Sequence, residues 1–121
     1  MITIKQVALS FMEEQILKNL SNLIEKEISE AVEIIIFGSR ARGDSNENSD
    51  LDVAIILNVP RIDKEIWNRL WNIKWKVLES LDTEEFPISL FPTTLRDFIS
   101  KDFDIEKVIK KEGIVIWERK S

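Results

Sequence analysis

The chain has 121 residues, 44% of them apolar and 32% charged, as expected for a single soluble globular domain over residues 1–121 with a core of its own. It contains neither cysteine nor histidine, which excludes disulfides, zinc–thiolate sites, cysteine nucleophiles and Ser-His triads, so any chemistry must use carboxylates, hydroxyls, amines or a metal. The net charge of -5 argues against general nucleic-acid binding, and the lack of a signal peptide or a membrane-spanning run predicts a cytoplasmic protein.

The first elements of the chain are predicted from apolar periodicity. Residues 4–28 carry apolar side chains at three- and four-residue spacing, which predicts a helix that packs on the core. Two short β-branched runs bounded by turn residues predict buried strands over residues 31–37 and 51–57. A further apolar stripe predicts a long helix over residues 63–81, with Asp63 as its N-cap.

The last third of the chain is predicted to alternate short strands and helices. Its predicted elements are a third strand over residues 86–91 between two prolines, a helix capped by Thr93 and Thr94 and ending near Ile99, a helix beginning at Asp102 or Asp104 and ending at Gly113, and a last strand over residues 114–117. Together the elements predict an α/β (α+β) fold, in which a small, mixed and twisted sheet of three to four strands packs with helices.

A pair of acids stands at the start of the second strand. Because side chains alternate along a strand, Asp50 and Asp52 point to one face, while Leu51, Val53 and Ile55 point to a core on the other. Two carboxylates held side by side repel each other unless a cation lies between them. Oxygen-only ligands and the absence of histidine favour a hard ion, Mg²⁺ above all.

The loop before the acids carries groups that suit phosphates. Gly38 lets the backbone approach a ligand closely, and Ser39 offers a hydroxyl and an amide at a predicted strand-to-helix turn, where amides bind phosphate oxygens. Arg40 and Arg42 supply planar cations of the kind that hold phosphates. The loop and the acid pair together predict a site for a nucleoside triphosphate with Mg²⁺.

Gly38-Ser39, ten further residues and then Asp50-x-Asp52 resemble the GSx10DxD signature of the polymerase β-type nucleotidyltransferases. The flanking segments FGSRARGD and SDLDVAI are similar to those of the minimal nucleotidyltransferase (MNT) branch. The resemblance implies the nucleotidyltransferase fold, ATP as substrate, Mg²⁺ on the two acids, and phosphates on the loop. It also implies a partner protein, because MNT domains often pair with a HEPN ribonuclease as its antitoxin, sometimes by adenylylating it.

The sequence departs from this family at one position. Active polymerase β-type enzymes resemble one another in a third carboxylate, on the strand after the long helix. Aligning that strand on ISLFPTTLRDF places Ser89 at this position, and serine is a poor metal ligand and a poor base. Glu84 or Glu85 would replace it only if the register of the strand differs. The departure weakens the prediction of catalysis and leaves that of nucleotide and Mg²⁺ binding intact.

Three tryptophans mark one side of the long helix. Trp67, Trp71 and Trp75 recur at four-residue spacing and form a stripe beside the apolar one. The stripe is either part of the core at the sheet edge or a surface for a HEPN-type partner or a second copy of the chain, because tryptophan is favoured at the centres of interfaces.

The sequence therefore leaves three functions open. The first is the Mg²⁺-dependent transfer of AMP from ATP to a partner protein, since so small a chain has little room for an acceptor domain. The second is a nucleotide-binding module, weak or inactive in catalysis, that neutralises a partner toxin by direct contact. The third is the catalytic half of an antibiotic nucleotidyltransferase.

Overall fold

The computed structural model describes residues 9–43, 50–101 and 104–120. Its elements in chain order are α1 (Phe11–Glu27), β1 (Ala31–Phe37), α2 (Ser39–Arg42), β2 (Leu51–Leu57), α3 (Lys64–Ser80), β3 (Ile88–Thr94), α4 (Leu95–Ser100), α5 (Asp104–Glu112) and β4 (Ile114–Glu118). The predicted α/β fold with a small mixed sheet is confirmed.

The four strands lie in the order β3-β2-β1-β4, so β1 and β2 are central and β3 and β4 form the edges. β1 is antiparallel to β2 and β4, whereas β2 and β3 run parallel and are connected through α3. Consequently the first residues of β2 and β3 lie at the same end of the sheet as the last residues of β1. This end of the sheet holds the acid pair and the loop predicted to bind phosphate.

Buried side chains cover both faces of the sheet. Leu51, Val53 and Ile55 of β2 enter a core with α1 and α3, as their alternation predicted. On the opposite face Ala54 and Ile56 pack with α4 and α5. Because the acid pair shares this second face, the carboxylates stand at the open end of a surface that is buried along the rest of the strand.

The first helix is shorter than predicted within the described residues. It begins at Phe11 because Ser10 caps it: the Ser10 hydroxyl accepts from the Glu13 amide at 3.1 Å, and the Glu13 carboxylate accepts from the Ser10 amide at 2.9 Å. Residues 4–8 of the predicted helix lie outside the described residues. The long helix is as predicted, and the Asp63 carboxylate accepts from the Ile66 amide at its start.

The third strand was predicted two to three residues too early. It begins at Ile88 and passes through Pro92, which is compatible with a strand because β3 lies at an edge of the sheet. Thr94 caps α4, whereas Thr93 is a buried residue of β3. The last predicted helix begins at Asp104, and the alternative start at residue 102 lies outside the described residues. None of the helices within the described ranges is long and apolar enough to cross a membrane.

Candidate functional site

The loop turns at Gly38, between β1 and α2, with a φ angle of +77° that an L side chain rarely adopts. A Cβ atom built on Gly38 would overlap Oδ2 of Asp52 and lie 3.3 Å from its Cγ. Glycine is therefore required here for two reasons, the backbone angle and the close approach. The contact joins the two halves of the predicted site.

The two acids lie where β2 begins. Asp50 immediately precedes the strand and is exposed, and Asp52 is the second strand residue and half-buried. Asp52 lies opposite Phe37 of β1 and opposite Ser89 of β3. Burial, and after it the negative charge of Asp50, raise the pKa of Asp52. A cation between the acids would offset both the burial and the repulsion and would favour the charged form of Asp52.

Ser89 lies beside the acid pair, at the place where a third carboxylate was expected. The β2–β3 register pairs it with Asp52, and its hydroxyl donates to Oδ2 of Asp50 at 2.8 Å. Glu84 and Glu85 are exposed in the turn before β3, so this register brings neither of them to the pair. Among the residues that the structure describes, no three acidic side chains form a metal-binding cluster.

Glu112, the last residue of α5, lies on the loop and was not predicted as part of the site. Its Oε1 accepts from the Gly38 amide at 3.0 Å, and both of its carboxylate oxygens lie 3.0 Å from Nη1 of Arg42. Besides burial and Asp50, Glu112 contributes to the raised pKa of Asp52, and Arg42 opposes it. No local signal marks Glu112, because 70 residues separate it from Arg42.

The other arginine of the loop points towards α1. Nη1 of Arg40 lies 2.9 Å from a carboxylate oxygen of Glu13, with 12% and 3% of the two side chains exposed. The Arg40 guanidinium also lies 5.9 Å from the centre of the Phe86 ring. Arg40 therefore connects α2 to α1 and to the segment before β3, whereas Arg42 lies on the side of Asp52. Ser39 is the first residue of α2 and is half-buried.

A groove of about 390 Å³ runs between α3 and β3 and ends beside the acids; we call it the tryptophan groove, and it is lined by Trp67, Trp71, Lys74 and residues 88–91. Nζ of Lys74 lies 4.5 Å from the centre of the Trp71 ring. Burial lowers the pKa of Lys74, and the charge of Asp50 opposes this shift. The groove thus presents indole rings and an ammonium group next to the acid pair.

The tryptophan stripe divides between surface and core. Trp67 and Trp71 are 44% and 51% exposed, whereas Trp75 is partly buried against the core of α1 and α3. Trp71 and Trp75 meet edge to face, with ring centres 5.9 Å apart. The exposure of Trp67 and Trp71 therefore fits the interpretation of the stripe as a partner surface, and the burial of Trp75 fits its interpretation as core.

Comparison with known proteins gives a family and a fold. A model of the nucleotidyltransferase domain matches residues 14–116. A chain of a toxin–antitoxin crystal structure with AMP-PNP superimposes with a TM-score of 0.57 and 22% identity, over 88% of this chain and 73% of its own. A chain of a variant MntA-HpeT toxin–antitoxin structure gives 0.56 and 24% identity, over 88% and 72%.

A candidate nucleotidyltransferase from Sulfolobus solfataricus gives a TM-score of 0.52 and 18% identity, over 92% of this chain and 90% of its own. At such identities the likeness establishes a shared fold and nothing finer. Among curated protein sequences none matches the chain.

Proposed function

This chain belongs to the nucleotidyltransferase domain family, and we propose that it transfers AMP from ATP to a hydroxyl group of a partner protein. The observation that carries the proposal is the close approach of Gly38 to Asp52. It joins a loop with phosphate-binding groups to a carboxylate pair, and a nucleoside triphosphate with its metal requires both within one site.

Asp50 and Asp52 would hold Mg²⁺. The donor set fits this ion, because burial and the repulsion of Asp50 raise the pKa of Asp52, and a divalent cation would favour its charged form. Mg²⁺ is commonly bound through one or two carboxylates plus water and substrate phosphates, so a third protein ligand is not required for binding. When bound, the ion would polarise the α-phosphorus and neutralise charge on the leaving pyrophosphate.

The loop would bind the outer phosphates. The Gly38 amide and the Arg42 guanidinium already converge on one carboxylate oxygen, which supports their use for an anionic ligand. The Ser39 hydroxyl would add a further donor. Arg40 would contribute positive charge from behind the loop, and its ion pair with Glu13 would keep α2 in position.

The acceptor would enter through the tryptophan groove. Ser89 lines this groove and donates to Asp50, so a hydroxyl group in the groove would lie next to the proposed metal. The exposed rings of Trp67 and Trp71 offer the aromatic surface that protein interfaces favour. Similarity to two toxin–antitoxin structures, one of them with AMP-PNP, supports an adenine nucleotide and a toxin as the ligands. The proposal of a HEPN-type toxin rests on the resemblance to MNT domains.

A second candidate function has its own support. Ser89 stands at the position of the third acid, and its hydroxyl donates to Asp50, so no described carboxylate beside the pair is placed to take a proton from an acceptor. The chain would then bind the partner and block it by contact, with or without nucleotide.

One experiment separates the two functions. The chain is incubated with ATP labelled at the α-phosphate, Mg²⁺ and the protein encoded beside it, and the mass of that protein is then measured. A gain of one AMP that disappears with Asp52→Asn supports transfer. A partner that is inhibited while its mass stays unchanged supports the blocking function instead.

A further inference from the structure

Glu112 occupies the anion position of the loop through its contacts to Gly38 and Arg42. We propose that this carboxylate is a built-in competitor of the substrate phosphates, which must displace it before they reach the loop. The inference rests on the proposed function only in taking the loop as the phosphate site.

The geometry of the contact is that of a bound anion. One oxygen of Glu112 accepts from a backbone amide and from a guanidinium, each at 3.0 Å, and the second oxygen lies at the same distance from that guanidinium. Carboxylate and phosphate oxygens accept hydrogen bonds from the same donors with similar lengths. A phosphate oxygen on Gly38 and Arg42 would therefore require the place that Glu112 holds.

The backbone of Glu112 is fixed, so displacement must occur by rotation of its side chain. The next residue, Gly113, donates its amide to the Ile109 carbonyl at 2.8 Å and packs so closely on Ile35 that a side chain at this position would collide with it. By contrast, the side chains of Glu112 and Arg42 are 20% and 47% exposed. An ion pair in that setting is screened by water and is weak enough to exchange for a phosphate.

Charge makes the exchange obligatory. The Glu112 carboxylate already places a negative charge on Gly38 and Arg42, and a triphosphate would bring several further negative charges to the same place. Glu112 and a phosphate therefore cannot share the loop. Every ligand that uses the loop is weakened by the same factor, whereas a ligand that does not use it, such as adenosine, is not weakened.

Calorimetry with Mg²⁺ and three probes (ATP, inorganic tripolyphosphate and adenosine) tests this in the full chain. Glu112→Gln should bind ATP and tripolyphosphate about fivefold more tightly than wild type, as loss of a screened ion pair allows, with adenosine unchanged. Glu112→Asp keeps the charge but shortens the side chain, so it should also bind them more tightly, by less. Glu65→Gln, which removes one charge at the exposed start of α3, should bind as wild type does.

The outcomes are distinguishable. If wild type binds the phosphate probes and Glu112→Gln binds them equally or more weakly, then Glu112 supports the loop or a metal, and the competitor is refuted while the phosphate site stands. If Glu112→Gln binds more tightly and Glu112→Asp does not, a long-range charge effect explains the gain and the competitor is again refuted. If no variant binds a phosphate probe, the inference and the proposed function both fail.

Discussion

Alanine at Gly38 is the most informative single change, because it tests the contact between the loop and the acid pair. The new Cβ would overlap Oδ2 of Asp52, whereas a Cβ at Gly43 would meet no atom of the described residues within 4 Å. Both glycines have a positive φ, +77° and +83°, but their ψ angles are -159° and 11°. Gly43 is therefore in the left-handed helical region, whereas Gly38 is in a region that is essentially restricted to glycine. Gly43→Ala is therefore a control for alanine at a positive-φ glycine of the same loop; it lacks the overlap, and its backbone strain is smaller.

The structure sets the size of each effect. Alanine in the left-handed helical region costs about 1–2 kcal/mol, so Gly43→Ala should lower the free energy of unfolding by about that amount. The backbone conformation of Gly38 is rarer, and its strain on alanine should be about 1–3 kcal/mol. The overlap at Gly38 involves the end of a side chain, which rotation of Asp52 relieves at a further cost of about 0.5–1.5 kcal/mol. If Asp52 holds Mg²⁺ as proposed, the displaced carboxylate would no longer bind the ion, and Mg²⁺-dependent ATP affinity should fall by about 10–100-fold with Gly38→Ala but not with Gly43→Ala.

Urea unfolding gives the two stabilities, and calorimetry with Mg²⁺ gives the ATP affinities. In a background of Asp52→Ala the overlapping oxygen is gone, so Gly38→Ala should there cost less stability than in the wild type, by the part that is due to the overlap. Wild-type ATP affinity in Gly38→Ala, or an equal loss of affinity in Gly43→Ala, would refute the reasoning.

Four further changes test other parts of the molecule. Asp52→Asn should abolish Mg²⁺-dependent ATP binding in calorimetry while leaving stability equal or slightly higher. Burial raises the pKa of Glu33, so Glu33→Gln should stabilise the protein at pH 7 and have no effect below its ordinary pKa of 4.5. A hydrogen bond from Arg69 lowers the pKa of Glu30, so Glu30→Gln should destabilise the protein at pH 7, and this loss of stability should shrink as the pH falls. Thermal melts at a series of pH values would measure the effects of both glutamate substitutions. Trp71→Ala should weaken partner binding by about 2–4 kcal/mol in a titration and spare the melting temperature, whereas a cavity-sized loss of about 3–5 kcal/mol would show that this ring is core.

The central part of the fold follows from local pattern, and for that reason the sequence predicts it well. The strands at residues 31–37 and 51–57 are apolar runs bounded by turn formers, and both have the predicted limits. The alternation along β2 assigns Leu51 and Asp52 to opposite faces, as the structure does. Edge strand β3 was harder, because Pro92 is a strong break signal that an edge position tolerates.

The parts of the site that sequence reasoning missed are those set by tertiary contacts. Glu112 reaches the loop from α5, and Arg40 of α2 pairs with Glu13 of α1 only in the tertiary structure. Neither contact has a fixed spacing along the chain, so no motif could carry it. The sequence predicted one role for Arg40 and Arg42 because both are positively charged. In the structure their guanidinium groups lie on different sides of the loop, one with Glu13 and the other with Glu112.

Ser89 is the residue that separates the two proposed functions, transfer of AMP and blocking by contact. Its contacts favour a working nucleotide-binding site over a vestigial one. Its hydroxyl satisfies one oxygen of Asp50, and the parallel register keeps it opposite Asp52. Serine in place of a third acid leaves one negative charge fewer in a site that already holds two acids and Glu112. A triphosphate would therefore meet less repulsion there. Serine at this position also lacks the carboxylate that would take a proton from an acceptor hydroxyl. In the proposed transfer, serine at this position therefore favours nucleotide affinity over catalysis, and the acceptor hydroxyl would have to lose its proton to solvent or to a base of the partner.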